Sequence, residues 1–190
     1  WLLTMDQDTY FEDNDFSLFL NSFEKIEKEK LIIFSPIHNK KFLNKAILKK
    51  KFVMTSANIV NVNKTLEIDG FNEDLFIDEV DHDFCIRCIN NSYKIIVNQN
   101  IAVNHSLGIK EKNLTLYPSI RLYYMSRNYL SIRKKYYDKN IDFFKKRDKY
   151  LIKFFIKHLL YSKEKLKCLK MILLGILDYK NNKFGKYNEK

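Results

Sequence analysis

The sequence predicts an α/β fold with amphipathic helices at its C-terminal end. Three observations carry that expectation. Short apolar runs alternate with helix-spaced segments through the first part of the chain. Acids and a histidine follow directly on strand-like runs, where open α/β sheets bind ligands. From about residue 117 onward the apolar spacing is helical throughout. The length of 190 residues suffices for a packed core, and 46% apolar content argues against disorder.

In chain order, Trp1–Met5 reads as a buried strand ending in Asp6-Gln7-Asp8. Asp15–Lys30 is expected to be helical, with Phe16, Phe19, Leu20 and Phe23 on one side. Leu31–Pro36 and Phe52–Ser56 read as strands, the latter extended by Ile59–Val62. Asp69-Gly70 supplies a turn. Leu75–Cys88 begins as an acidic loop and becomes a helix that Asn90-Asn91-Ser92 ends. Tyr93–Val97 is a further strand, and Ile101–Val103 leads into His105. Asp142–Leu160 is a basic amphipathic helix: Phe143, Phe144, Leu151, Phe154, Phe155 and Leu159 share one side, and Lys145, Lys149, Lys153 and Lys157 recur on another. Lys165–Leu177 forms a last helix. The expected division is residues 1–130 for the α/β part and 131–190 for the basic appendage.

Charge is split along the chain. Residues 1–120 carry 14 Lys/Arg against 17 Asp/Glu, whereas residues 121–190 carry 20 against 6, a surplus of +14. Such a basic tail fits an anionic membrane surface, nucleic acid, or simple solvation. Interleaved Tyr and Phe would suit base stacking. No helix-turn-helix, ribonucleoprotein or zinc signature accompanies them, so no nucleic acid is expected. No apolar run reaches the ~20 residues that span a bilayer. Cys85, Cys88 and Cys168 have no framework spacing. Cys85 and Cys88 read as helix-packing residues, which points to a reducing, cytoplasmic setting.

Three constellations carry chemistry. Asp6-Gln7-Asp8 offers hard carboxylate oxygens to a divalent cation such as Mg²⁺ or Mn²⁺, which would neutralise a departing diphosphate. The acids of Gly70–Arg87 include candidates for a general base at a helix start. His105, following a strand, could complete a metal site with Asp8. Each also has an ordinary reading: an acidic loop, acids favoured in a first helical turn, or a packing histidine.

Taken in order, the three resemble the family 2 glycosyltransferases of the A-type fold, in particular their rhamnosyltransferase-like bacterial branch. The resemblance rests on Asp6-Gln7-Asp8, Thr55-Ser56-Ala57, Gly70-Phe71 through Asp78, Val80-Asp81, Cys85-Ile86-Arg87, Tyr93-Lys94, His105-Ser106-Leu107-Gly108 and Arg121 through Asn128. It covers roughly residues 1–130, with a looser echo in Gly175–Asp178 and Phe184–Lys186. Ala57 and Ser92 stand where the family has glycine, and Val80 where many members have Glu.

The resemblance implies a nucleotide-sugar transferase A-type fold lacking its first βαβ units, with about 80–100 residues upstream of Trp1. It implies an inverting transfer to a polysaccharide or lipid-linked acceptor, with Asp81 as catalytic base. Asp8 and His105 would hold the metal, with Asp6 on the nucleotide side. Arg121 and Arg127 would face diphosphate or acceptor, Ser56 would lie on the acceptor side, and Asp83 and Arg87 would orient the base helix. The implied donor is dTDP-rhamnose, with UDP-hexoses and UDP-galactofuranose open. The expected location is the cytoplasm, peripheral on the inner membrane face. The competing expectations are an inactive transferase fragment and a nucleic-acid-binding basic module.

Overall fold

The computed structural model describes residues 1–38, 46–105, 109–111 and 114–188. Its described residues form two compact units. One comprises 1–71 with 81–106, the other 72–80 with 107–190. Residue 130, the expected boundary, falls inside a continuous helix, Ser119–Tyr136.

The first unit is built on five strands: β1 (Leu2–Thr4), β3 (Leu31–Ile37), β4 (Ile47–Lys50), β5 (Asn58–Val60) and β6 (Lys94–Ala102). Their order is β1-β5-β3-β6-β4. β3 and β6 run parallel, and every other neighbouring pair is antiparallel. β3 is buried along its whole length because it lies mid-sheet with a covered residue on each face. Helix α1 (Asp15–Glu24) brings Phe19 and Phe23 to Leu31, Phe34, Ile59 and Ile101. Phe84, Cys85 and Cys88 of α3 (Val80–Asn90) pack on Ile32, Ile33, Val60 and Ile95. Neighbours Ile33 and Phe34 point to opposite faces, as a pleat requires. The irregular register between Leu31 and Ile33 lets Leu31 share a face with Phe34.

Several expectations change here. The N-terminal strand is an edge, not a buried strand, with Leu2 56% exposed. Helix α1 stops at Glu24, six residues short of Lys30. Phe52–Ser56 is not a strand; pairing begins only at Asn58, after Ala57 turns the chain in the left-handed region (φ 59°). Ser92, which ends α3, is also left-handed (φ 62°). Both departures from glycine therefore fall where glycine costs least. β4 has two lysines and is exposed at every position, and no alternation announced it.

The second unit holds α4 (Ser119–Tyr136), α5 (Ile141–Tyr161), α6 (Lys165–Lys180) and a small ribbon of β8 (Ile109–Glu111) with β9 (Leu114–Leu116). Gly175 permits α6 to lie against α4: a Cβ there would sit 2.2 Å from Ser126 Oγ and 2.4 Å from the Tyr123 carbonyl. Buried His158 donates from Nδ1 to the Phe154 carbonyl (2.8 Å) and accepts at Nε2 from the Tyr117 amide (3.0 Å). Burial pushes its pKa down, so it is a satisfied neutral core histidine.

Candidate functional site

The site grows from the strand ends of the first unit. Asp6 begins a tight turn closed by the Thr9 amide on the Asp6 carbonyl (3.1 Å). β2 (Thr9–Tyr10) then pairs antiparallel with β7 (Asn104–His105), setting Thr9 opposite His105. Asn104 Nδ2 donates to Glu12 Oε1 (2.7 Å), which fastens the ribbon. This two-residue pairing, remote in sequence, carries Asp8 to His105. His105 Nε2 lies 3.2 Å from Asp8 Oδ1 and 3.7 Å from Asp6 Oδ2. One ligand atom from each of the three lies within 4.8 Å of the others.

Two carboxylates and an imidazole suit a hard or borderline divalent cation. The imidazole ring is mostly covered, at 7% side-chain exposure, and its Nδ1 is buried without a hydrogen-bond partner. The ring turns Nε2, not the buried Nδ1, toward the two carboxylates, so a cation in that corner would be held through Nε2. The residues present therefore fit the metal the sequence implies. Ser106, Leu107 and Gly108, the rest of that motif, lie outside the described residues.

Ser56 is 1% exposed, so it cannot touch an acceptor. Its hydroxyl instead receives the Asp6 amide (2.9 Å) and donates to Thr9 Oγ1 (2.8 Å), pinning the acidic turn from behind. Its carbonyl receives His38 Nε2 (2.9 Å). His38 sits just past β3 with its ring 5.8 Å from that of His105, and desolvation holds its pKa below the usual histidine value. Sequence reading passed over His38, although it follows a strand as His105 does.

Asp81, in the first turn of α3, is half-buried. Thr55 Oγ1 donates to its Oδ1 (2.6 Å). Burial raises its pKa above the ordinary aspartate value, the Thr55 hydrogen bond and His82 oppose the rise, and the charge of Asp6 adds to it. Two residues on, Asp83 is buried and paired with Arg87 Nε (2.8 Å). Arg87 also donates to the Ile68 carbonyl that ends α2 (Val62–Glu67), so the pair ties α3 to α2. Burial pushes the Cys85 thiol up to about 12 and also raises that of Cys88, which keeps both protonated and unsuited to metal.

Arg121 and Arg127, expected to face diphosphate or acceptor, are both engaged within the second unit. Arg127 is 1% exposed. Its Nε bonds Asn128 Oδ1, its Nη1 reaches Tyr123 Oη and the Gly185 carbonyl, and its Nη2 reaches the Asp74 and Leu75 carbonyls. All five guanidinium donors are taken, so Arg127 is a cross-tie of the second unit and offers nothing to phosphate. Arg121 turns its Nε and Nη2 onto Asp78, which occupies the fork a phosphate would need. Asn128 Nδ2 donates to the Leu75, Ile77 and Asp78 carbonyls. Together these hold the 72–80 segment, whose Phe76, Asp78 and Glu79 all have positive φ.

Fold and site describe a class: a mixed α/β unit with two carboxylates and an imidazole gathered near the C-terminal ends of two parallel strands, and a further carboxylate of raised pKa whose charge couples to theirs. One curated protein is similar to the chain, the dTDP-rhamnosyl transferase RfbF of Shigella flexneri, at 32% identity over 94 residues. The alignment covers 46% of this chain and 32% of that protein, so the match spans about a third of the relative's length. No family model matches the chain. No solved structure matches it.

Proposed function

We propose that the chain is the metal- and acceptor-side part of an inverting glycosyltransferase with the A-type fold of family 2. It would move a sugar, rhamnose first among candidates, from a nucleoside diphosphate donor to a hydroxyl of a glycan or lipid-linked acceptor. The observation that carries this reading is the convergence of Asp6, Asp8 and His105 on one point, with Asp81 close enough to feel the charge of Asp6. The similarity to a dTDP-rhamnosyl transferase supports it and favours the rhamnose donor.

Asp8 and His105 would hold Mg²⁺ or Mn²⁺, with Asp6 beside them. When bound, that cation supplies positive charge against the diphosphate leaving group. Asp81 accepts the acceptor hydroxyl proton as the oxygen attacks the anomeric carbon. The bond from that carbon to the diphosphate breaks with its electron pair leaving on the nucleotide, and single displacement inverts the centre. Thr55 orients Asp81, Ser56 holds the turn that presents Asp6 and Asp8, and the Asp83–Arg87 pair steadies the helix bearing the base.

Donor choice is tested by titrating dTDP and UDP into the chain with Mn²⁺ present and following heat. Metal-dependent binding with preference for dTDP supports the rhamnosyl reading. Preference for UDP redirects the donor, and nucleotide binding that ignores the metal contradicts the site assignment.

A further inference from the structure

α5, the helix whose basic amphipathic pattern pointed to lipid, spends Phe144, Leu151 and Phe154 inside the unit. α5 leaves Ile152, Ile156 and Leu160 exposed, and α6 presents a longer apolar row to solvent. Its Cys168, Met171, Ile172 and Gly175 are buried. On the opposite side Leu166, Leu169, Leu173 and Leu177, spaced at three and four residues, are 84%, 42%, 56% and 52% exposed. With Lys170 and Leu174 they line an open groove along the helix. A row of four half-exposed leucines on a stable helix is more than the scattered single apolar residues that any surface carries.

The charge around this row says what covers it. Lys163, Lys165 and Lys167 are exposed within the first turn or just before it, and Lys170 borders the groove. On a helical projection Lys165 falls to one side of the leucine row and Lys167 and Lys170 to the other. Residues 121–190 carry a surplus of +14. A second copy seated on the same row would bring like charges together, whereas anionic headgroups beside apolar acyl chains match both features. No helix of the described residues is long and apolar enough to cross a membrane, so the match is to a surface.

We propose that α6 lies in the interface of an anionic lipid bilayer, with Leu166, Leu169, Leu173 and Leu177 in the acyl boundary and the flanking lysines at the headgroups. The proposal goes beyond the transferase reading and stands or falls without it. The site residues all lie in the first unit and take no part.

Flotation of the chain with phosphatidylcholine vesicles, with and without phosphatidylglycerol, tests it. The wild type floats with the phosphatidylglycerol vesicles, and less so as salt rises. A Leu169→Gln/Leu173→Gln/Leu177→Gln variant partitions about 10-fold less or weaker still, because each leucine removes apolar area from the interface. Lys165→Glu/Lys167→Glu/Lys170→Glu gives a loss of similar size on anionic vesicles only. All these positions are exposed, and an unchanged melting curve confirms folding. Failure of the wild type to float, or equal flotation of the leucine variant, overturns the proposal. A dimer in light scattering that the leucine variant abolishes, without flotation, assigns the row to a second copy and also overturns it.

Discussion

Arg127 and His105 are both polar side chains almost closed off from water, yet they sit in opposite circumstances. Arg127 has a partner for each of its five donors, three of them backbone carbonyls far along the chain. His105 has two carboxylates before one ring nitrogen and, among the described residues, no hydrogen-bond partner at the other. Burying a polar group without partners costs free energy. A group with all its bonds made is holding structure, whereas His105 turns Nε2 toward two carboxylates, the set a divalent cation would need. The same contrast separates Ser56, saturated and covered, from Asp81, half-open with a raised pKa.

The largest expected effect strikes the second member of that contrast. Asp81→Asn should cut sugar transfer by about 100- to 10,000-fold, the usual worth of a general base. Only the carboxylate accepts a proton, so in the wild type the rate should rise with pH through a pKa above the ordinary aspartate value. Thr55→Val removes a bond that lowers that pKa and should move the acid limb of a kcat/KM–pH profile to higher pH. The stability linkage has the opposite sign to activity. A carboxyl whose folded pKa is raised contributes its full stability below the ordinary aspartate pKa and loses it as pH rises through the raised value. Asp81→Asn should therefore melt no lower than wild type at neutral pH, by calorimetry, while losing its activity.

Arg127→Met should behave in the reverse manner. It leaves several buried carbonyls without donors and should cost about 3 kcal/mol or more in urea unfolding. Metal binding at the first unit, measured on whatever fraction stays folded, should keep its affinity. Gly175→Ala forces a methyl onto Ser126 Oγ and the Tyr123 carbonyl, with a cost of about 1–3 kcal/mol. Ser92→Gly relieves a left-handed serine and should change stability by under about 1 kcal/mol, upward.

Much of the frame was legible because apolar periodicity survives in single segments. β3, β6, α3, α5 and α6 all announced themselves this way. What the sequence could not convey was pairing. β4 carries no apolar alternation to mark it as a strand, and its place in the sheet comes from its pairing with β6. The site divides likewise. Asp6, Asp8 and His105 were legible as polar residues at strand ends, and the β2–β7 ribbon joins them. Ser56 and Arg127 were misplaced because a hydroxyl or guanidinium beside a motif looks the same whether it faces ligand or backbone. His38 shared the strand-end position and lacked a neighbouring motif to draw notice.

Calorimetric titration of Mn²⁺ into the chain, the Asp8→Ala variant and the Arg127→Met variant tests the central claim most directly. Wild type should bind Mn²⁺, more tightly with dTDP or UDP present; folded Arg127→Met should retain binding and Asp8→Ala should lose it. Binding that survives Asp8→Ala unchanged would contradict the assignment of the Asp6–Asp8–His105 corner as the metal site.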